Sequence, residues 1–112
     1  MARLERMVPG DFQQLKDIIA RELPRRSATL SVEEEFEGVA NGKRYWLLAC
    51  ERYAYVGQNR TSLNITVLEE DAGNHVMATA TGGSQAVILK LNTWSESSFL
   101  RTLEDILNEF EQ

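Results

Sequence analysis

Hydrophobic residues follow a helical period near both ends of the chain and a period of two in between. The first helical segment places apolar residues at three- and four-residue spacings: Phe12, Leu15, Ile18, Ile19 and Leu23. Asp11 and Gln14 precede it with the spacing of a capping box, and Pro24 is expected to end it. The pattern therefore predicts an amphipathic helix over residues 11–23.

The second helical segment lies at the other end of the chain. Its apolar stripe is the widest in the sequence: Phe99, Leu100, Leu103, Ile106, Leu107 and Phe110. Thr93 and Glu96 have the spacing of a capping box, so the helix is predicted to begin at Thr93. Residues 86–91, just before it, are largely apolar, and their pattern fits either a short strand or a buried connection.

Between the helices, alternation predicts antiparallel strands joined by tight turns. The segment 43–56 is apolar on both faces, which is typical of a central strand: Trp46, Leu48, Cys50, Ala54 and Val56 against Tyr45, Leu47, Ala49, Tyr53 and Tyr55. Residues 63–67 and 76–80 form a further predicted hairpin, and a turn containing Asn41 and Gly42 precedes the central strand. Residues 3–8 alternate loosely and predict a short edge strand that Pro9 and Gly10 end.

The segment after residue 28 is acidic and alternates. Leu30, Val32 and Phe36 are predicted to share one face of a strand. The other face would carry Glu33, Glu35 and Glu37, as a solvated surface that protects a sheet edge. Glu34 falls among the apolar positions, so it pairs with an arginine, lies near the edge or follows a β-bulge.

The predicted element order is strand, helix, four or five antiparallel strands, helix. Because every strand has an apolar face and each helix an apolar stripe, we expect one α+β domain over residues 1–112. It would have two layers, with both helices on one face of a curved meander. This order is similar to the helix-grip arrangement and resembles a single repeat of the TATA-binding-protein-like fold. A likeness of fold does not transfer a function.

Short motifs along most of the chain add a closer resemblance. They are Gly82-Gly83-Ser84-Gln85, the set Trp94, Glu96, Phe99 and Leu100, the helix entry Gly10-Asp11-Phe12 and the strand entry Asn59-Arg60. With them the chain resembles a family of small bacterial proteins of unknown function, in which a further Gly stands where this chain has Ala86. The resemblance implies a fold and a bacterial source but no activity.

Charge and composition exclude several classes of function. The 112 residues include 12 Lys plus Arg against 17 Asp plus Glu, a net charge of -5, which disfavours binding to nucleic acid or anionic membranes. One cysteine and one histidine exclude an intramolecular disulfide framework and a Cys/His zinc site within the chain. No secretory signal or membrane-spanning run occurs, so we expect a cytoplasmic protein without metal or cofactor.

Catalytic chemistry finds little support. Cys50 lies mid-strand among apolar residues, as an inert buried thiol would, and His75 follows a turn on the more polar face. Gly82-Gly83-Ser84 lacks the Lys and the spacing of a phosphate-binding loop. We therefore expect a protein that is not an enzyme.

The candidate site is the sheet face turned away from the helices. If Trp46 packs under the helices, Tyr45, Leu47, Tyr53 and Tyr55 lie on the opposite face, and tyrosines suit a contact surface. The neighbouring residues there would be Ser62, Asn64, Thr66, Met77 and Thr79. This predicts a self-associating module, as a homodimer, or one that binds another partner. The alternative is a carrier that grips a small apolar ligand between helix and sheet with Phe12, Leu15, Trp46, Phe99 and Leu103.

Overall fold

Five antiparallel strands and two helices make up the computed structural model, which describes residues 2–54, 59–82 and 89–112. In chain order the elements are β1 (Ala2–Val8), α1 (Phe12–Arg26), β2 (Ser31–Ala40), β3 (Lys43–Ala54), β4 (Asn59–Glu70), β5 (Gly73–Gly82) and α2 (Leu89–Phe110). The strands form one sheet in the order β1-β5-β4-β3-β2. The predicted α+β class is confirmed, with five strands.

Both helices pack on the same face of this sheet, here called the helix face. Trp46, Leu48 and Cys50 of β3 point to it and are buried, as are alternate residues of β4 and β5. The inner stripe of α1 joins them in one core: Phe12, Leu15, Ile19 and Leu23. The other side of the sheet, here called the open face, therefore carries Tyr45 and Leu47, as the sequence predicts.

The first strand joins the sheet at the edge far from β2. β1 pairs with β5 from Ala2↔Ala80 to Val8↔Asn74. The buried Asn74 side chain holds the junction, because its Nδ2 donates to the carbonyl oxygens of Val8 at 3.1 Å and of Gly10 at 2.9 Å. α2 packs over β1, β5 and β4. At the opposite edge every residue of β2 except Gly38 is exposed, so β2 extends beyond the part of the sheet that the helices cover.

α1 continues through Pro24 to Arg26, so the predicted end at residue 23 is wrong. Proline lacks the N–H that would bond the carbonyl of the residue four earlier, here Ala20. Ala20 and Pro24 are both exposed, so water can donate a hydrogen bond to the Ala20 carbonyl oxygen in place of the missing N–H. Arg26 then extends the last turn and bonds Glu22 at 3.1 Å and Glu109 at 2.7 Å.

α2 begins at Leu89, four residues before the predicted start at Thr93. The spacing of Thr93 and Glu96 also occurs inside helices, and the preceding Leu89, Lys90 and Leu91 are good helix formers. Of the ambiguous segment 86–91, residues 89–91 are therefore helical rather than a strand. Residues 83–88 lie outside the described part of the chain.

A β-bulge in β2 overturns the predicted faces of the acidic strand. Val32 pairs with Cys50, but Glu34 pairs with Ala49, so an extra residue is inserted between them and the alternation shifts by one. Val32 therefore points to the helix face and Phe36 to the open face, opposite Leu47. Glu35 and Glu37 lie opposite Leu48 and Trp46, on the helix face rather than on the solvated face expected for them. Glu34 follows the bulge at the sheet edge, as two of its predicted alternatives proposed.

Candidate functional site: the open sheet face

The open face carries exposed apolar side chains on neighbouring strands. Phe36 of β2 is 58% exposed and lies directly opposite Leu47 of β3, which is 37% exposed. One cross-strand row continues from this pair over the whole sheet: Phe36, Leu47, Thr66, Met77 and Glu5. Met7, at the β1 edge of the next row, is also exposed. Apolar contact area is therefore spread from one edge of the sheet to the other.

Three of the four predicted site residues lie on this face, with Tyr53 about 20 Å along β3 from Leu47. Tyr45, Leu47 and Tyr53 alternate along β3, and the Tyr53 side chain is 39% exposed. Tyr55 lies outside the described residues. Phe36, which has the largest exposed fraction among these side chains, is missed by sequence reasoning because its face depends on the bulge. A run of three consecutive acidic residues, Glu33 to Glu35, fits strict alternation poorly and is the signal that points to such a bulge.

Tyr45 serves partly as structure. Its ring lies over Gly38, the residue opposite it in β2, so closely that a Cβ added at Gly38 would be 2.6 Å from the tyrosine Cζ. An aromatic ring that covers a glycine in a neighbouring strand replaces the missing side-chain contact. Tyr45 is half-buried as a result, and Phe36, Leu47 and Tyr53 supply more of the exposed surface.

Hydroxyl and amide groups occupy the middle of the open face. Ser62, Asn64 and Thr66 alternate along β4, beside Thr79 and Thr81 of β5. A shallow hollow of about 270 Å³ opens there towards β1, lined in part by Asn64 and Thr66. These side chains share the open face with the tyrosines, but the cross-strand neighbours of Tyr45 and Tyr53 in β4 are Leu68 and Arg60. Together the hydroxyl and amide groups form a polar centre with apolar residues around it.

Most charged groups of the open face lie beside a polar partner on the same face. His75 lies between two carboxylates, with Nε2 2.7 Å from Glu5 and Nδ1 3.2 Å from Glu70. Arg60 contacts Glu51 at 3.1 Å. These groups form local pairs at the edges of the apolar surface, which is the arrangement of the rim of a protein interface.

On the helix face, acidic residues of β2 close the side of the core. The indole Nε1 of the buried Trp46 donates to Glu35 at 2.7 Å, and Lys16 of α1 donates to Glu37 at 2.5 Å. The hydrogen bond to Glu37 raises the pKa of Lys16. Glu35 and Glu37 therefore tie the overhanging strand to the core and to α1, and they are not part of the open face.

Of the two residues considered for catalysis, Cys50 does not have the setting that a nucleophile needs. Cys50 is buried, its Sγ lies 3.6 Å from the carbonyl oxygen of Leu63, and burial raises the pKa of its thiol to about 12. A thiol held protonated is a poor nucleophile. The two ring nitrogens of His75 contact the carboxylates of Glu5 and Glu70.

The space proposed for a small apolar ligand is filled by the side chains that were expected to grip it. All five are fully buried within the single core cluster: Phe12, Leu15, Trp46, Phe99 and Leu103. The hollow of about 270 Å³ described above opens on the other side of the sheet.

The structure thus defines a two-layer α+β protein in which neither described helix covers the open face of the sheet. The chain belongs to a family of unknown function, DUF6054, whose model matches residues 1–111. Comparison with curated proteins and with solved structures gave no match. Neither described helix is long and apolar enough to cross a membrane.

Proposed function

We propose that this chain is a non-enzymatic, cytoplasmic module that associates with a second copy of itself through the open face. The observation that carries the proposal is the pair Phe36 and Leu47, which stay exposed side by side on a face that no described helix covers. The order strand, helix, four strands, helix supports the helix-grip likeness, and the family resemblance supports a bacterial source.

The size of the open face suits a stable dimer. Neighbouring strands lie about 4.8 Å apart and each residue adds about 3.3 Å, so five strands of about ten residues give a surface of about 800 Å². Stable interfaces bury about 800 Å² per partner. A two-fold axis lets one such surface meet itself without leaving part of either copy unmatched.

The chemistry of the face also suits protein contact. Its apolar residues include two aromatic side chains, Phe36 and Tyr53, which add large contact area and lose little conformational entropy when they are fixed. The hydroxyl and amide groups of β4 and β5 can bond across an interface, directly or through water. Carboxylates of the outer strands lie at the margin, where solvent reduces the repulsion between two acidic chains.

The test compares two substitutions on the same strand that differ in face. Phe36 and Val39 are both exposed residues of β2, at 58% and 66%, but Phe36 lies on the open face and Val39 on the helix face. In sedimentation equilibrium we expect concentration-dependent dimers for the wild type and for Val39→Glu, and monomers for Phe36→Glu and Tyr53→Glu. Circular dichroism checks that every variant is folded.

Because Phe36→Glu and Val39→Glu add the same charge to the same strand, a general effect of charge would change both alike. A wild type that stays monomeric at high micromolar concentration contradicts the proposal. So does equal dimerisation of the two β2 variants.

A further inference from the structure

Two charged residues lie at opposite ends of one row of the open face. The register links Glu34 of β2 to Arg3 of β1 across the whole sheet: Glu34, Ala49, Asn64, Thr79 and Arg3. Both Glu34 and Arg3 are exposed. The row therefore runs from a carboxylate at one edge, through polar and small side chains, to a guanidinium at the other.

These two residues differ from the other charged groups of the face. Glu5 and Glu70 each contact His75, and Glu51 pairs with Arg60. Lys43 lies 3.5 Å from Asp71. Within residues 2–54, 59–82 and 89–112, by contrast, neither Arg3 nor Glu34 has an ion-pair or side-chain hydrogen-bond partner.

We infer that the two-fold axis of the open-face dimer runs along β4, so that Arg3 of each copy pairs with the partner's Glu34. The inference rests on the self-association proposed above and specifies its geometry. Rotation about an axis along the central strand exchanges the two edges of the sheet, which places β1 of one copy over β2 of the other. Asn64, at the centre of the row, then faces its own copy.

The distances permit this pairing. Packed sheets lie about 10 Å apart, and their strands cross at about 30° when the two-fold axis is inclined by about 15° to β4. The edge strands lie about 10 Å from β4, so the crossing displaces facing edge residues by about 5 Å. Arginine and glutamate side chains are long enough together to span that separation, and their entropy cost is offset by two identical ion pairs at one interface.

The charges also disfavour the other simple arrangement. An axis that runs across the strands would place each β2 over the β2 of the partner. Glu34 would then approach the acidic edge of the partner's β2, between chains that each carry a net charge of -5. Like charges brought together at an interface weaken binding and suppress that docking mode.

The test is a charge exchange in the full chain, followed by sedimentation and by native mass spectrometry of mixtures. We expect Glu34→Arg alone and Arg3→Glu alone each to weaken the dimer by at least about tenfold. Mixing the two variants should restore association as a heterodimer, because both cross-pairs then join an arginine to a glutamate. Asp105→Arg on α2 and Arg25→Glu on α1, which make the same charge changes at exposed helix residues, serve as matched controls and should dimerise like the wild type.

The sign of the Glu34→Arg effect separates local pairing from overall charge. Replacing one negative charge by a positive one changes the net charge of the chain from -5 to -3, which reduces general repulsion. A mechanism governed by net charge would therefore strengthen the dimer, whereas the proposed pairing weakens it.

The outcomes distinguish the two proposals. If the wild type dimerises and Phe36→Glu abolishes the dimer, but neither charge reversal weakens it, the axis along β4 is wrong and the open-face proposal stands. If both single variants weaken the dimer and their mixture does not recover, Arg3 and Glu34 are not partners and the inference fails. A monomeric wild type overturns both proposals.

Discussion

Replacing Ile65 with alanine tests the assignment of the helix face at the middle of the sheet. Ile65 lies in β4, the central strand, and its side chain is fully buried beneath the helices. Its cross-strand neighbours on that face are Leu48 of β3 and Ala78 of β5, both also buried. The substitution therefore removes part of a side chain that the core encloses on every side.

The expected loss follows from this surrounding. Alanine lacks three of the carbon atoms of isoleucine, and at about 0.8 kcal/mol for each buried CH₂ the transfer term is about 2.5 kcal/mol. The ladder of hydrogen bonds fixes the backbones of β3 and β5, so Leu48 and Ala78 cannot move far into the space. The remaining cavity adds to the cost, and the total falls within about 2 to 5 kcal/mol.

Urea unfolding followed by circular dichroism measures this change, at a protein concentration where wild type and variant have the same oligomeric state. Thr66→Ala is the matched control, because Thr66 is the next residue of the same strand and lies on the open face. It should cost well under half of what Ile65→Ala costs. A loss below about 0.5 kcal/mol for Ile65→Ala, the usual range for surface positions, would refute the assignment of the faces.

Three further predictions follow from single residues. Cys50 should react with a thiol reagent only after denaturation, because it is buried and burial raises the pKa of its thiol to about 12; rapid labelling of the native protein would contradict this. Gly38→Ala should cost about 1 to 3 kcal/mol in urea unfolding by displacing the ring of Tyr45, and should cost much less in a Tyr45→Ala background, so equal costs in both would exclude that contact. Hydrogen bonds from Arg44 lower the pKa of Glu69 from its ordinary 4.5, so their stabilising effect is present above pH 4.5 and is lost as the pH falls through the lower pKa of the folded state. The difference in free energy of unfolding between the wild type and Glu69→Gln should therefore become smaller in acid, and a difference that does not change with pH would refute the role of that carboxylate.

Features set by regular periodicity could be predicted from the sequence. The α+β class, the stripes of both helices and the two faces of β3 each depend on a spacing that repeats over several residues. Alternation assigns Trp46 and Leu48 to the same face of β3. Once one face of a strand is known to be buried, the residues between them must lie on the opposite face. The same alternation predicts that the side chains of Tyr45, Leu47 and Tyr53 lie on the open face, where the register of β3 has them.

Features that depend on a single residue are harder to predict from the sequence. The end of α1 depends on whether Pro24 falls where a lost hydrogen bond is tolerated, and this requires knowing which side of the helix faces water. The face on which Phe36 lies depends on an inserted residue in β2, and a pattern of strict alternation does not show where a residue is inserted. The partners of Glu35 and Glu37 follow from that insertion, because a shift by one residue moves both carboxylates to the opposite face.

The pairing of β1 with β5 has a consequence for the order of folding. β2 to β5 are consecutive antiparallel neighbours that close short loops, whereas Ala2 must meet Ala80 across almost the whole meander. The entropy cost of closing a loop rises with its length, so we expect β1 to dock last, in a step slower than hairpin formation. During synthesis β1 also leaves the ribosome before β5 exists. Until the two strands meet, the outer edge of β5 offers unpaired backbone groups to any extended segment nearby, and a slow folding phase should therefore carry the greatest risk of aggregation.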